Sequence, residues 1–279
     1  MKFKSILKTV AVADSLAYLA AIATNPDHSR NQRLRAFSTT RIAHRGFHDE
    51  SVDIYENTVP AFQRAITYGF GIELDVRLTK DFVPVVFHDD SLQRLCGTNK
   101  KIESLTFKEL SDFSIGKNQD KIPTLKEALA IVKGKVPLII EIKAEYVVVD
   151  LCKAVMRELY TYPGEYCIQS FSPLVLRWFR VHEPFVLRGQ LSTDFTVPER
   201  NQDKPEIIQF AASNLLLNRI GQPDFISYEL AYKDKLSLRL CRKLYGSKIA
   251  FWTVSSPDEL QLADESGDII IFEGFTPKN

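Results

Sequence analysis

Short apolar segments alternate with helical segments along most of this chain, and this alternation constrains the fold more than any other feature. Eight segments have the pattern of strands, and they begin near residues 42, 71, 137, 166, 186, 224, 248 and 268. Helical patterns fill most of the gaps, which is typical of a parallel sheet. A count of eight predicts an α/β fold that closes as a (β/α)8 TIM barrel, and an open doubly wound sheet is the alternative. The sequence lacks G-x-G-x-x-G and G-x-x-x-x-G-K-[ST], which disfavours the usual nucleotide-binding sheets.

The stretch from Ile72 to Asp90 carries the most chemistry within this pattern. Its first half alternates between apolar and polar residues, so Glu73 and Asp75 share one face of a strand. The polar turn that follows is too short for a crossover, so the next apolar run returns antiparallel as a hairpin. A turn centred there places residue 75 opposite residue 87. His88 therefore returns to the level of the two carboxylates.

The composition is that of an ordinary globular protein that is large enough for one extensive core. The chain has 279 residues, of which 45% are hydrophobic and 25% charged, and one domain of this size is common for barrels. The formal net charge of +1 gives no sign of a basic surface, so no nucleic-acid partner is expected. The four cysteines form no C-x-x-C pair, and we expect small buried hydrophobic residues rather than a disulfide or metal set.

The N-terminal region has a composition of its own. Residues 6–24 are mostly apolar, with basic residues on both sides, and they are long enough to span a bilayer as a helix. Asp14 opposes spanning by ~2.5–3.5 kcal/mol. Two alternatives stay open, namely a membrane anchor formed by residues 6–23 and an amphipathic helix that lies on the domain or on the bilayer. We therefore expect a membrane-associated protein, with a cytoplasmic one as the alternative.

These observations predict the organisation of the chain. Residues 1–24 would form the apolar N-terminal helix, and the polar residues 25–40 would form a linker. Residues 41–279 would form the barrel domain, with a small insertion at residues 89–122 that follows the hairpin.

A barrel carries its chemistry at the carboxyl ends of its strands. The polar residues expected there are His44, Arg45, Glu73, Asp75, His88, Glu141, Lys143, Gln169 and Ser170, together with Trp252. Three carboxylates that converge repel one another unless a cation lies among them, and oxygen ligands favour Mg²⁺ or Ca²⁺. Two histidines supply an acid and a base near neutral pH, and an arginine and a lysine suit an anionic phosphoryl oxygen.

Several motifs carry a resemblance to a known family. They are His44-Arg45-Gly46, Glu56-Asn57-Thr58 with Ala61-Phe62, Glu73-Leu74-Asp75-Val76, Thr79-Lys80-Asp81, His88-Asp89, Ile122-Pro123-Thr124-Leu125 and Glu141-Ile142-Lys143. In this order and spacing they resemble the glycerophosphodiester phosphodiesterase family, over about Ile42 to Pro277.

The resemblance implies a (β/α)8 barrel and the metal-dependent hydrolysis of glycerophosphodiesters to glycerol 3-phosphate and an alcohol, as part of lipid metabolism. It also implies roles for eight residues of this chain. His44 and His88 would be the acid–base pair, and Glu73, Asp75 and Glu141 would hold the divalent metal ion, Ca²⁺ or Mg²⁺. Phosphate would be bound by Arg45 and Lys143, and Trp252 would form a wall of the glycerol pocket.

Three departures from the family pattern bear on the choice of substrate. Tyr55 precedes Glu56 where the family often has proline, Phe47-His48-Asp49 replaces small residues, and the last strand ends in Phe272-Glu273-Gly274-Phe275 where many members have Thr-Asp-x-Pro. Two alternatives therefore remain beside glycerophosphodiester hydrolysis. One is a phospholipase-type enzyme, a lysophospholipase D or a phosphatidylinositol-cleaving enzyme, that acts on a lysophospholipid or another lipid. The other is a barrel that binds a phosphodiester or lipid head group without turnover.

Two further expectations concern residues outside this set. Glu56 and Asn57 are interpreted as helix-entry residues rather than as part of the chemistry. Residues 215–217 are interpreted as the apolar core of a helix that runs from Pro205 to Asn218.

Overall fold

Eight parallel strands close into a barrel in the computed structural model, which describes residues 15–24, 30–144, 148–198 and 205–277. The strands of its sheet are β1 (Ile42–Ala43), β2 (Gly71–Leu78), β3 (Pro84–Val86), β4 (Leu138–Ile142), β5 (Tyr166–Ser170), β6 (Leu187–Ser192), β7 (Phe225–Glu229), β8 (Lys248–Val254) and β9 (Ile269–Phe272). All run parallel except β3, and the ring closes because β1 pairs with both β2 and β9. The predicted TIM barrel is confirmed, and each predicted strand begins within one residue of the observed one.

Helices cover the outside of the barrel. Those with described bounds are α1 (Arg30–Arg33), α2 (Arg35–Ser38), α3 (Val59–Tyr68), α4 (Gln93–Cys96), α5 (Phe107–Leu110), α6 (Leu125–Val132), α7 (Val148–Leu159), α8 (Pro173–His182), α9 (Glu206–Ser213), α10 (Asn218–Gly221), α11 (Leu236–Tyr245) and α12 (Pro257–Ser266). Sequence signals set several of their ends. Thr124 and Glu127 form a reciprocal capping box at the start of α6, and Gly69 ends α3 in the left-handed conformation.

The helix predicted from Pro205 to Asn218 is shorter in the structure, because α9 ends at Ser213, residues 214–217 form a turn and α10 begins at Asn218. Helix α9 ends at Ser213, whose carbonyl oxygen accepts a hydrogen bond of 2.7 Å from the hydroxyl of Tyr228. Leu215 then adopts a φ of +59°, and its side chain is buried in the main core. The helix ends at this point, and the contact of Ser213 with Tyr228 takes the place of a hydrogen bond within a further helical turn.

The side chains inside the barrel form two layers. The lower layer, toward the amino ends of the strands, is apolar, and the upper layer, toward the carboxyl ends, contains polar side chains. The lower layer includes Ile139, Cys167, Leu187, Phe225, Ala250 and Ile269. Two residues further along the same inward faces, toward the carboxyl ends, the side chains are Glu141, Gln169, Gly189, Ser227, Trp252 and Ile271. Gly189 is required by its neighbour, because a Cβ there would lie 2.2 Å from the ring of Phe225. The change from apolar to polar side chains along β4, β5 and β7 places Glu141, Gln169 and Ser227 at one end of the barrel.

Residues 25–40 were predicted to form a linker. The described part of this range, residues 30–40, packs on the barrel instead. Leu34 and Phe37 are fully buried against the lower apolar layer of the barrel, in a cluster with Ile42. Arg30 fixes the segment laterally, since its Nε lies 2.6 Å from a carboxylate oxygen of Asp224. Most residues of this stretch are polar, but Leu34 and Phe37 are apolar and lie three positions apart. Both therefore contact the barrel from one side of a short helical turn.

Residues 15–22 are helical and pack on the outside of the barrel. Ile22 is buried in the main core, and its carbonyl oxygen accepts a hydrogen bond of 3.0 Å from Asn218. The hydroxyl of Tyr245 donates to the carbonyl oxygen of Leu19 at 2.7 Å. Among the described residues, no helix is both long enough and apolar enough to cross a membrane. The anchor predicted over residues 6–23 therefore lies partly outside the described residues, and its described part covers the barrel.

The hairpin has the predicted register. Val76 pairs with Val86 and Arg77 with Val85, and the backbone N–H of Phe87 donates to the carbonyl oxygen of Asp75 at 3.0 Å. The segment that follows has an apolar cluster of its own, formed by Val85, Phe87, Leu92, Ile102, Leu105, Leu110, Ile115 and Ile122. This small cluster holds the predicted insertion, residues 89–122, against the hairpin.

Candidate active site

A pocket of about 700 Å³ opens at the carboxyl ends of the barrel strands. Seven of the eight predicted site residues line it: His44, Arg45, Glu73, His88, Glu141, Lys143 and Trp252. The eighth, Asp75, is fully buried beside them and contacts Lys143 and Arg45. The structure therefore brings the predicted set together at one end of the barrel.

Three carboxylates form a compact group on two adjacent strands. Glu73 and Asp75 project from β2 and Glu141 from β4, where Asp75 and Glu141 are paired in register. One oxygen from each lies within 4.8 Å of the others, and all three side chains are buried. Oxygen ligands that share a divalent ion at ~2.0–2.6 Å are at most ~4–5 Å apart, so the group has the dimensions of a Mg²⁺ or Ca²⁺ site.

The three carboxyl groups differ in pKa because their surroundings differ. Burial and the nearby charge of Asp75 raise the pKa of Glu73 to about 8. Burial likewise raises the pKa of Glu141. Asp75 is also buried, but the charges of Lys143 and Arg45 outweigh the burial and hold its pKa well below the usual range. A cation bound among these carboxylates would offset the repulsion that raises the pKa of Glu73.

Lys143 and Arg45 supply fixed positive charge beside the carboxylates. The ammonium of Lys143 lies 2.6 Å from Glu141 and 3.1 Å from Asp75, and these partners raise its pKa against the effect of burial. The guanidinium of Arg45 donates to Glu56 at 2.9 Å, and its Nε lies 3.5 Å from Asp75. Both cations face the pocket and can contact an anionic group bound there.

His44 is held by a residue that the sequence did not point to. Its Nδ1 is hydrogen-bonded to the carboxylate of Glu273, which follows β9, while its Nε2 lies 4.0 Å from Glu73. Burial lowers the pKa of His44, but the hydrogen bond to Glu273 and the charge of Glu73 outweigh this effect and raise it. The same contact lowers the pKa of Glu273 to about 2, although burial acts in the opposite direction. Glu273 belongs to the segment Phe272-Glu273-Gly274-Phe275, which replaces the Thr-Asp-x-Pro of many family members. The sequence feature that could have indicated its role is an acidic residue directly after the last strand.

His88 is held in the same manner by its neighbour in the chain. Its Nδ1 lies 2.7 Å from the carboxylate of Asp89, and its carbonyl oxygen accepts from Arg77 at 2.8 Å. Burial lowers the pKa of His88 to about 4. The imidazole is thus neutral near pH 7 and, with Nδ1 engaged, has Nε2 available on the other side of its ring.

Asn57 takes part in the site, so the helix-entry interpretation of this residue is incomplete. The side-chain Nδ2 of Asn57 donates to the carboxylate of Asp75 at 2.8 Å, and the side-chain Oδ1 of Asn57 accepts from the backbone N–H of Asp75 at 3.3 Å. Glu56 is also more than a helix-entry residue, because it pairs with Arg45. The sequence feature that could have indicated a role in the site is the position of Glu56 and Asn57 in a family motif, directly before helix α3.

The second half of the pocket differs in character. Phe171, Leu191, Leu230 and Leu262 line it beside Trp252, whose ring meets that of Phe171 edge to face at 5.9 Å. The indole N–H of Trp252 is buried without a hydrogen-bond partner in the described structure. Polar side chains of Glu229, Lys233, Ser255 and Glu259 line the same pocket, so the apolar wall is accompanied by polar groups that a bound molecule can contact.

Comparisons with known proteins agree with this geometry. The sequence matches the Glycerophosphoryl diester phosphodiesterase family over residues 44–272. The glycerophosphodiester phosphodiesterase 1 of Bos taurus is 28% identical over 242 residues, which cover 78% of this chain and 72% of that protein. A lysophospholipase D of Homo sapiens is 27% identical over 279 residues, which cover 87% of this chain and 85% of that protein.

Solved structures show the same barrel. A phosphodiesterase from Oleispira antarctica, in complex with the product sn-glycerol-3-phosphate, superposes with a TM-score of 0.68 at 23% identity, over 85% of this chain and 94% of that one. A glycerophosphodiester phosphodiesterase from Thermotoga maritima gives a TM-score of 0.62 at 28% identity, over 84% and 94%. Since the family match begins at His44 and continues to the last strand, the chain belongs to the glycerophosphoryl diester phosphodiesterase family and is a phosphoric diester hydrolase.

Proposed function

We propose that this enzyme hydrolyses glycerophosphodiesters to glycerol 3-phosphate and an alcohol. The observation that carries the proposal is the convergence, in one pocket, of three carboxylates, two imidazoles and two fixed cations. Glu73, Asp75 and Glu141 would hold the divalent ion, which when bound supplies positive charge to the phosphoryl oxygen. Their all-oxygen donor set suits Mg²⁺ and Ca²⁺ alike.

The chain's own residues would divide the remaining work among them. Arg45 and Lys143 bind the non-bridging phosphoryl oxygens, and the apolar wall at Trp252 receives the glycerol carbons and excludes water. One imidazole of the pair His44 and His88 takes the proton of the attacking oxygen as the new P–O bond forms. The other gives a proton to the alcohol oxygen as the old P–O bond breaks, so that the net change consumes one water.

A lysophospholipid is the second candidate substrate, and the apolar wall of the pocket favours it. Phe171, Leu191, Leu230 and Leu262 form this wall beside Trp252. A pocket of about 700 Å³ is in the usual range for ligands of drug size. An acyl chain placed along these residues would leave the phosphodiester at the carboxylates.

One assay distinguishes these substrates. The purified chain is incubated with glycerophosphocholine or with lysophosphatidylcholine, in Mg²⁺ or in Ca²⁺, with and without EDTA. Release of glycerol 3-phosphate from the first substrate is the expected result, whereas lysophosphatidic acid from the second would identify lysophospholipase D activity. Absence of product from both substrates in both metals, from folded protein, would contradict the proposed function.

Membrane association through residues 6–23 is also a proposal, and it rests on the mostly apolar sequence of residues 6–14, which contains Lys8 and follows Lys2 and Lys4. Residues 15–23 pack on the barrel, so contact with a bilayer would be made by residues 6–14. The full chain should sediment with liposomes, whereas a variant that begins at residue 15 should stay in the supernatant. Equal retention of the two proteins would rule out this attachment.

A further inference from the structure

The insertion carries one side chain that reaches two residues of the active site. Arg94, on the short helix α4, donates two hydrogen bonds to Glu56, of 2.8 and 2.7 Å. The same guanidinium donates two more to Asp89, of 2.8 and 3.1 Å. A guanidinium that is bidentate to two carboxylates at once is held in both position and plane.

Each of these carboxylates holds a group that faces the pocket. Asp89 is hydrogen-bonded to Nδ1 of His88 at 2.7 Å, and Glu56 accepts from Arg45 at 2.9 Å. A continuous chain of contacts therefore runs from His88 through Asp89, Arg94 and Glu56 to Arg45. Its two ends are the groups to which the proposed function gives a proton transfer and a phosphate contact.

The charges along this chain are balanced only when Arg94 is present. Glu56 is nearly buried, and Arg94 and Arg45 together offset the cost of burying its charge. Without Arg94, Asp89 keeps His88 as its neighbour but loses the contact that fixes its own carboxylate plane. His88 would then rotate together with Asp89, whereas Arg45 would remain bound to Glu56.

We propose that Arg94 is a positioning residue, which orients His88 through Asp89 and stabilises Arg45 through Glu56, so that the insertion is part of the catalytic apparatus. The proposal rests on the proposed function and deepens it. It also connects the acidic residues of two sequence motifs, Glu56-Asn57-Thr58 and His88-Asp89, through one guanidinium.

The kinetic test compares Arg94→Met and Arg94→Lys with Lys117→Met, in the full chain with glycerophosphocholine as substrate. Lys117 is the matched control because it lies in the same insertion and pairs with Asp53 at 3.2 Å, away from the pocket. Arg94→Met should lower kcat by ~10–100-fold, the range usual for the loss of a supporting contact. KM should change less than kcat, because Glu56 still holds Arg45. Arg94→Lys should recover part of the loss, and Lys117→Met should stay within about twofold of the wild type.

A double-variant cycle tests the route of the effect. If Arg94 acts through Asp89, then Arg94→Met combined with Asp89→Asn should be about as impaired as the more impaired single variant, because both changes disrupt one unit. Additive losses in kcat would overturn the proposal. So would a kcat of Arg94→Met within twofold of the wild type, or an equal loss in Lys117→Met.

A measurement without substrate separates this proposal from the proposed function. The chain has five histidines, so the ring ¹⁵N signals of His88 can be assigned by comparison with His88→Ala. Arg94→Met should shift the Nδ1 signal of His88, and Lys117→Met should leave it unchanged. If the wild type does not hydrolyse the diester but the signal shifts, the proposed function fails and the positioning role stands. An unchanged His88 signal in Arg94→Met overturns the positioning role, whatever the activity.

Discussion

Asp75 shows how far the chemistry of one side chain depends on its neighbours. It is as deeply buried as Glu73, yet its pKa is held low while that of Glu73 rises to about 8. The difference follows from contacts, since Asp75 meets Lys143 at 3.1 Å and accepts from Asn57 at 2.8 Å. Glu73 thus holds the proton that a metal ion has to displace.

Metal binding should therefore release a proton from Glu73. The folded pKa of about 8 lies above the ordinary value, so the proton is bound below pH 8 and competes with the ion there. The apparent dissociation constant for Mg²⁺ or Ca²⁺ should fall by up to ~10-fold per pH unit from pH 6 to 8 and then level off. Calorimetry in buffers of different ionisation enthalpy measures the released proton.

Glu73→Gln is the control for this linkage, since it keeps the shape of the side chain and removes the proton. This variant should bind the ion more weakly, with a flat pH dependence over the same range. Asp75→Asn and Glu141→Gln should also cut activity strongly in folded protein. Full activity after treatment with EDTA would contradict the metal role of all three carboxylates.

The two histidines should differ in how they respond to the leaving group. A diester that releases p-nitrophenol needs no proton on its leaving oxygen, so the general acid becomes dispensable for it. His44→Ala and His88→Ala should each lose ~10²–10⁴-fold in kcat with glycerophosphocholine. With the activated diester, one of the two variants should regain most of its rate, and that residue is the acid. Equal behaviour of the two variants toward both substrates would argue against an acid–base pair.

Residues that the sequence predicted for the site share a local signal, and those that it missed do not. Glu73 and Asp75 follow from strand alternation, because a period of two fixes the face of each residue, and Glu141 follows from its place at the end of a buried strand. The partnership of His44 with Glu273 joins residues 229 positions apart. Only the closure of the barrel, which pairs β1 with β9, brings them together.

At the scale of elements, the turn after β1 sets the position of the first histidine. Gly46 adopts a φ of +81°, and a Cβ there would lie 2.9 Å from the Cβ of Ala61 on α3. The helix therefore packs closely against the backbone that carries His44 and Arg45. This contact explains why the glycine of His-Arg-Gly and the alanine of the next helix occur together in the sequence.

Gly46→Ala should destabilise the fold more than Gly69→Ala. Both residues have a positive φ, but nothing lies within 4 Å of a Cβ built on Gly69. Gly69→Ala should cost ~1–2 kcal/mol for the left-handed conformation alone. Gly46→Ala should add ~1–3 kcal/mol for the steric overlap and should lower activity through the displaced His44. Urea unfolding and diester hydrolysis measure the two effects, and equal unfolding free energies would show that the helix yields without cost.

The elements also show where sequence patterns lose their force. The hairpin register was predictable because a short turn leaves one pairing that keeps the apolar face buried. The break between α9 and α10 was not, because the residues from 205 to 218 keep a helical pattern throughout. Tyr228, on a strand further along the chain, binds the carbonyl oxygen of Ser213 at the end of α9.

At the scale of the whole molecule, the two ends of the barrel differ. The carboxyl ends are open to substrate, whereas the opposite end is closed by Leu34 and Phe37. Both side chains are buried against residues from several strands, and no β-strand carries either of them. Stability of the barrel therefore depends on residues that precede its first strand.

Phe37→Ala should lower the free energy of unfolding by ~3–5 kcal/mol, the usual cost of removing a buried aromatic ring. Phe185→Ala is the matched control, because Phe185 is 82% exposed and its loss should cost at most ~0.5 kcal/mol. Removal of residues 1–40 should destabilise the protein further, since it exposes the lower apolar layer to water. Removal of residues 1–14 leaves the described contacts of residues 15–24 in place and should retain most of the stability. Urea unfolding of the four variants tests this order, and a midpoint for residues 41–279 equal to that of the full chain would show that the barrel closes without its cover.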